Sequence, residues 1–358
     1  MNIALKTKFF KISFLIFLCF LLDSTNSHAF DSTEKISLLQ FNVENLFDTI
    51  HDEGKNDFTY LPLELKRNPR FLDLKDGSLF QKGCVTARYP KWRMECLNFN
   101  WSEVILEQKL ESLANVIRQV NDGRGADLVF LQEVENIRVL KRLALKTGIR
   151  DYHPILIEGE DERGIDVALL SKFPIKSSKL HRFTKSRGIL QVSIDGPHST
   201  PIEVFVLHLP APYHSSLGRK AQLKRLNQLA KPLKKRAVVI AAGDFNISSK
   251  EEKEEGLIKK YSQELGWKVA SKQGCKKCLG THYYARAKEW SFLDQIWVLE
   301  AIEFPWFLVP ESIVVANQDP GQKQAKAPFG PRRMEIRGER LLGVSDHWPL
   351  YAEMQLRK

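Results

Sequence analysis

Val238-Val239-Ile240-Ala241-Ala242-Gly243-Asp244-Phe245-Asn246 is an apolar run that ends in polar side chains. Its β-branched residues and its length read as a buried strand that stops at Asp244. Alone, Gly-Asp-Phe-Asn reads as a turn in which Asp and Asn bond their own backbone. The chain repeats the arrangement, however. Ile36-Ser37-Leu38-Leu39 runs into Phe41-Asn42-Val43-Glu44-Asn45, Leu128-Val129-Phe130-Leu131 into Gln132-Glu133-Val134, and Val204-Phe205-Val206-Leu207 into His208-Leu209-Pro210. Leu293-Asp294-Gln295-Ile296 and Ser345-Asp346-His347 complete the series. Polar groups at the C-terminal ends of buried strands are where α/β proteins build sites.

Between these motifs the pattern alternates. Leu106, Leu110, Leu113, Ile117 and Val120 repeat at helical spacing, which predicts a helix over 102–121 that ends at Asn121-Asp122-Gly123. A second helix is expected over 137–146, a basic one over 217–234 and a charged one over 250–265. Strands are expected at 155–157, 165–170, 189–194 and 202–207 in succession, then at 295–299 and 350–356. Several strands in a row are not the strict alternation of a wholly parallel sheet. They predict two sheets packed face to face with helices outside.

The N-terminus sets the compartment. Lys6, Lys8 and Lys11 precede an apolar stretch from Ile12 to Leu22, and Ser27-His28-Ala29 follows. This reads as a signal peptide over residues 1–29, with cleavage after Ala29 and a secreted or periplasmic product. The apolar stretch is shorter than the ~20 residues of a membrane span, so no stable membrane anchor is expected. The remaining domain, residues 30–358, shows no repeat and no linker, and a monomer is expected. Four of its residues are cysteines, an even number in an exported chain, which favours disulfides. The expected pairing is local, Cys84–Cys96 and Cys275–Cys278, one of three connectivities. A zinc site at Cys275-Lys276-Lys277-Cys278 is the competing reading.

Charge is basic, +11 from 54 basic and 43 acidic residues. Lys323, Lys326, Arg332, Arg333, Arg337 and Arg340 lead directly into Ser345-Asp346-His347. A basic field beside a site attracts polyanions. We expect a nucleic-acid partner, with Arg332 and Arg333 on its phosphates.

The residue types suggest the chemistry. Glu133 ends an apolar run, so its carboxylate belongs at a rim. Beside Asn42 and Glu44 it suits Mg²⁺, which takes a few oxygen ligands and keeps its waters; Mn²⁺ or Ca²⁺ could use the same donors. Asp244 and Asn246 lie two apart at a strand end and point to one side. His208 and His347, with Asp294 and Asp346 available, suit acid–base work near neutral pH.

In their order and spacing these motifs resemble the endonuclease/exonuclease/phosphatase superfamily, which includes deoxyribonuclease I, apurinic endonucleases and neutral sphingomyelinases. Gly164-Ile165-Asp166-Val167-Ala168-Leu169-Leu170-Ser171 and Thr281-His282-Tyr283-Tyr284 resemble its secreted bacterial nuclease branch. The resemblance implies a four-layer α/β sandwich, two mixed sheets flanked by helices, and divalent-metal-dependent hydrolysis of phosphodiesters. It implies Asn42, Glu44, Glu133 and Asp346 at the metal and Asp244 as the acid that orients or deprotonates water. It further implies Asn246 as a donor to phosphate, Asp294 as the partner of His347, and Arg187 on phosphate. His208 matches the deoxyribonuclease I and sphingomyelinase branches, and Asp166 is a candidate to orient it. Two substrate classes follow: a nucleic acid, or, for a sphingomyelinase-like phosphodiesterase or a phosphatase, a lipid or sugar phosphate. For the lipid, Glu303-Phe304-Pro305-Trp306-Phe307 is the candidate membrane-contacting segment.

Overall fold

Strand β1 (Lys35–Leu46) is twelve residues long and buried along almost its whole length, polar residues included. A strand covered on both faces needs a layer on each side, and the rest of the chain supplies them. The computed structural model describes residues 35–67, 84, 90–184, 186–301, 303–326 and 329–357. The expected signal peptide lies outside the described residues. Lys35–Lys358 forms one compact unit.

The other strands are β2 (Leu128–Val134), β3 (His153–Leu156), β4 (Asp166–Ser171), β5 (Ile175–Phe183), β6 (Ser186–Asp195), β7 (Pro201–His208) and β8 (Val238–Asp244). After them come β9 (Lys268–Val269), β10 (His282–Tyr284), β11 (Glu289–Ser291), β12 (Asp294–Leu299), β13 (Trp306–Val315), β14 (Glu335–Arg337), β15 (Arg340–Leu342) and β16 (Leu350–Leu356). One six-stranded sheet has the order β13-β16-β1-β2-β4-β3 and the other β5-β6-β7-β8-β12-β9. Each is antiparallel except for one central parallel pair, β1 with β2 and β7 with β8.

The sheets face each other across Leu38, Phe130, Leu169, Val204, Ile240 and Ile296. Helices α1 (Glu103–Gln119) and α2 (Ile137–Thr147) cover the first sheet, where Leu106, Leu110, Leu113 and Ile117 meet Leu39, Val129 and Leu131. Helices α3 (Ser216–Ala230), α4 (Ser249–Glu255) and α5 (Leu257–Leu265) follow β7 and β8. Leu223, Leu226, Leu257 and Tyr261 from α3 and α5 pack on Phe205, Val239 and Trp297 of the second sheet. The α/β four-layer sandwich is therefore the architecture. Local chemistry sets the helix ends. Ser102 caps α1 by accepting from the Ile105 amide, and Asn136 caps α2 by accepting from Arg138 and Val139.

Three elements differ from the expectation. The single helix over 250–265 is two, because Gly256 adopts a left-handed conformation (φ 60°) that closes α4. Strand β5 was not anticipated, because its residues are mostly exposed and lack an apolar alternation. Strand β13 takes up the aromatic segment as a sheet edge. Trp306 is 1 % exposed, and its indole donates to Thr200 Oγ1 at 3.0 Å. Both expected disulfides are present, Cys84–Cys96 and Cys275–Cys278, so the competing zinc reading is set aside.

Candidate active site

Register brings the polar motifs together. His208 on β7 lies opposite Asp244 on β8, and Asp244 lies opposite Asp294 on β12. Three adjacent strands thus place three ionisable side chains in one row at a sheet end. The strands approach closely: a Cβ on Gly243 would stand 2.0 Å from the Leu207 carbonyl oxygen. Asn42 and Glu133 arrive from β1 and β2 of the other sheet. The β2–β4 pairing shifts register at Glu133, and the β1–β2 pairing shifts just after Asn42. Glu44, Glu133 and Asn246 all have positive φ, at 50°, 64° and 50°. Non-glycine residues take that conformation at a strain of about 1–3 kcal/mol, and such bulges re-aim side chains at site edges.

Asp244 is the hub. Its carboxylate accepts from the Asn246 amide at 2.8 Å, from Asn246 Nδ2 at 3.1 Å and from Asn42 Nδ2 at 3.1 Å. His208 Nε2 lies 3.5 Å away and His347 Nε2 3.9 Å away. Burial raises the Asp244 carboxyl to about 7, with His347 pulling it down and Asp294 pushing it up. His347 Nδ1 donates to Asp294 Oδ2 at 2.8 Å, and Asp294 Oδ1 accepts from Gln40 at 3.2 Å. Burial disfavours the imidazolium, yet Asp294, Asp244 and Asp346 together hold His347 well above the ordinary range. His208 goes the other way: burial, then the charges of Arg187, Arg163 and His347, hold it well below. Their surroundings therefore favour the charged form of His347 and the neutral form of His208.

The expected residues do not all face the same way. Glu133 Oε2 accepts from the Asn45 amide at 3.1 Å, while Oε1 has longer contacts, 3.5 Å from Asn42 Nδ2 and 3.9 Å from His208 Nε2. Asp346 lies within 4.0 Å of His347 Nε2. Glu44 uses both oxygens on the loop opposite, accepting from Arg333 Nε at 2.6 Å and from the amides of Met334 and Asp346 at 2.8 and 3.0 Å. Burial and Asp346 raise its carboxyl to about 8. Arg333 is thus tied to Glu44, although its side chain stays 72 % exposed. Arg332 carries no such tie and joins the site loop through its backbone, accepting from Val344. Arg187 is buried, with Nη2 donating to the Leu209 carbonyl at 3.3 Å and Nε unpartnered. Both Asn246 and Arg187 therefore converge on Leu209, since Asn246 Nδ2 also donates to its carbonyl at 3.0 Å. Asp166 does not hydrogen-bond His208. It accepts from the Gly159 amide at 2.9 Å, and His208 Nδ1 has no partner.

Two further residues belong to the site. Lys109 of α1 is fully buried and donates to the Val344 carbonyl at 2.6 Å, beneath the Ser345-Asp346-His347 loop. Burial lowers its ammonium to about 8, against the pull of Glu44 and Asp346. Its signal in the sequence was a lysine three residues after Leu106, on the apolar stripe. His282 on β10 lies 5.0 Å from the His347 ring, and burial with the His347 charge lowers it to about 4. The Thr281-His282-Tyr283-Tyr284 motif held that residue in plain view.

The chain belongs to the endonuclease/exonuclease/phosphatase family, whose model matches residues 102–297, more than half of its length. No curated protein matches it in sequence. Solved structures share the fold, three of them as follows. D. rerio TDP2 complexed with a single-strand DNA product has a TM-score of 0.53 at 16% identity, over 90% of this chain and 99% of that one. An endonuclease/exonuclease/phosphatase family protein from Bacteroides thetaiotaomicron has a TM-score of 0.52 at 13% identity, over 90% and 98%. Truncated Caenorhabditis elegans TDP2 has 0.50 at 14%, over 90% and 97%.

Proposed function

We propose that the protein is an exported, divalent-metal-dependent phosphodiesterase that hydrolyses DNA or RNA. The observation that carries this reading is the row His208–Asp244–Asp294, capped by His347, with the oxygen donors of Asn42 and Glu133 beside it.

Among the described residues, no three His, Cys, Asp or Glu side chains stand at metal-coordinating spacing. The donors still fit Mg²⁺, which is commonly held by one or two carboxylates plus substrate phosphate and water. Glu133 keeps one oxygen nearly free, and Asp346 has its carboxylate beside the row. Asn42, Glu133 and Asp346 would hold the ion. Glu44, expected in that set, instead positions the loop that carries Asp346. Bound there, the cation would polarise the phosphoryl oxygen and offset charge on the leaving oxygen.

Asp244 takes the proton of the attacking water, in the carboxylate form that Asn42 and Asn246 orient. Asn246, with its amide hydrogens directed to Asp244 and Leu209, acts on the base rather than on phosphate. His347, charged and fixed by Asp294, gives a proton or a charged hydrogen bond to the phosphate. His208, neutral, donates from Nε2 beside it. The lipid alternative loses Trp306, which is in the core, while Phe304 and Phe307 of the same segment are half-buried.

The test is to incubate the cleaved protein with plasmid DNA, RNA and sphingomyelin, each with Mg²⁺ and with EDTA. Nucleic-acid cleavage that stops in EDTA supports the reading. Glu133→Gln should lower turnover at least about 10²-fold with an unchanged unfolding midpoint. Full turnover in EDTA, or cleavage of sphingomyelin alone, would sink it.

A further inference from the structure

Pro210-Ala211-Pro212-Tyr213-His214 leaves the site directly after His208 and Leu209. Two prolines restrict its backbone, and the His214 amide donates to the Ala211 carbonyl at 3.0 Å. The carbonyls of Pro210, Ala211 and His214 accept from a single guanidinium, that of Arg219 on α3, at 2.9, 2.8 and 3.3 Å. Arg219 is buried and is fixed in turn by Glu251 of α4 at 2.6 Å. A buried arginine that holds three carbonyls of a surface loop is a rigid clamp.

What the clamp presents is Tyr213. Its side chain is 84 % exposed, more than any other large apolar side chain among the described residues. The His214 ring rests 4.2 Å from it, centroid to centroid. The backbone that carries the ring is clamped and has already lost the freedom that ligand binding would otherwise remove. A loop that leaves His208 and carries an exposed ring five residues on suits a nucleotide unit, with phosphate at the site and base at the ring.

We infer that Tyr213 is a stacking platform for an unpaired nucleobase next to the scissile phosphate, so that the preferred substrate is a single strand or a frayed end. The inference rests on the nucleic-acid reading above. A base inside a duplex has both faces covered by its neighbours, whereas an unpaired base offers a face to the ring. Base–aromatic stacking corresponds to about a 5- to 150-fold change in affinity per base.

The experiment compares wild type, Tyr213→Ser and Tyr213→Trp on a short single-stranded oligonucleotide, on an abasic strand of the same length and on sphingomyelin vesicles. Tyr213→Ser should raise KM for the base-bearing strand about 5-fold or more, with kcat kept. KM for the abasic strand should not change, and Tyr213→Trp should restore wild-type behaviour. All three unfolding midpoints should agree, because the side chain touches little. Equal KM for wild type and Tyr213→Ser on the base-bearing strand would overturn the inference and leave the nuclease reading intact. An equal rise on the abasic strand would also overturn it, since the ring would then be serving the backbone. If wild type cleaves neither strand but cuts plasmid DNA, the inference fails and the nuclease reading stands; if it cuts no nucleic acid, both fail, and loss of vesicle binding in Tyr213→Ser would mark a membrane contact.

Discussion

His208 and His347 flank the same carboxylate, and their surroundings drive them to opposite charge. Asp294 faces His347, whereas Arg187 and Arg163 face His208. Asp244 between them is raised from 3.8 to about 7. Since its pKa in the folded protein lies above the unfolded value, folding favours its protonated form. Stability from this group is complete below about pH 4 and is lost as pH rises through 7. Activity runs the other way, because the base must be a carboxylate. We expect kcat/KM to climb with a slope of one proton and a midpoint near pH 7; a flat profile from pH 5.5 to 8 would exclude Asp244 as the base. The arginines are a second case at this scale. Arg332 and Arg333 are neighbours in sequence, yet only Arg333 holds Glu44. Arg332→Glu should raise KM for DNA and flatten its salt dependence with kcat retained. Arg333→Glu should also lower kcat, since it sets a second carboxylate against buried Glu44 and releases the Asp346 loop. Equal kcat in the two variants, measured at saturating DNA, would argue against that role. Adjacent arginines look alike in a sequence, and only the partner 289 positions away distinguishes them.

At the scale of elements, the site depends on β7 and β8 lying close enough to align His208 with Asp244. Gly243→Ala puts a methyl carbon on the Leu207 carbonyl oxygen. Overpacking of this kind costs about 1–3 kcal/mol or more, and the pair must separate at its catalytic end. A lowered unfolding midpoint together with turnover down about 10²-fold is expected in parallel melting and kinetic measurements. A variant as stable and active as wild type would mean that the strands can part there harmlessly. Elements buried on both faces were legible because they are continuous apolar runs: β1, β2, β7 and β8 fell close to where their hydrophobicity put them. Strand β5 is a polar edge, and nothing in Lys176-Ser177-Ser178-Lys179 distinguishes an edge strand from a loop. The segment around Trp306 has the composition of an exposed aromatic hairpin. Trp306 is buried instead in the core between the sheets, where its indole donates to Thr200, 106 residues away, a partner that no local pattern contains.

The whole molecule adds two constraints. Cys84–Cys96 and Cys275–Cys278 are both bridged, which suits an oxidising compartment. Thiol labelling of the denatured, unreduced, mature protein should find essentially no free cysteine; two or more labelled positions would contradict the pairing. The second constraint is the meeting of the sheets, which brings Asn42 and Glu133 from one and His208, Asp244 and Asp294 from the other to a common end. The order of motifs along the chain was enough to identify the family and the four-layer architecture. Each motif is local, and strand and polar end are written within a few residues. Which of those residues point at one another was decided by tertiary structure alone. Glu44 turns to Arg333, Asn246 to Leu209, and Lys109 and His282 join the site. Those pairings depend on register, positive-φ bulges and desolvation, which arise only when segments distant in the chain are packed together and water is excluded from between them.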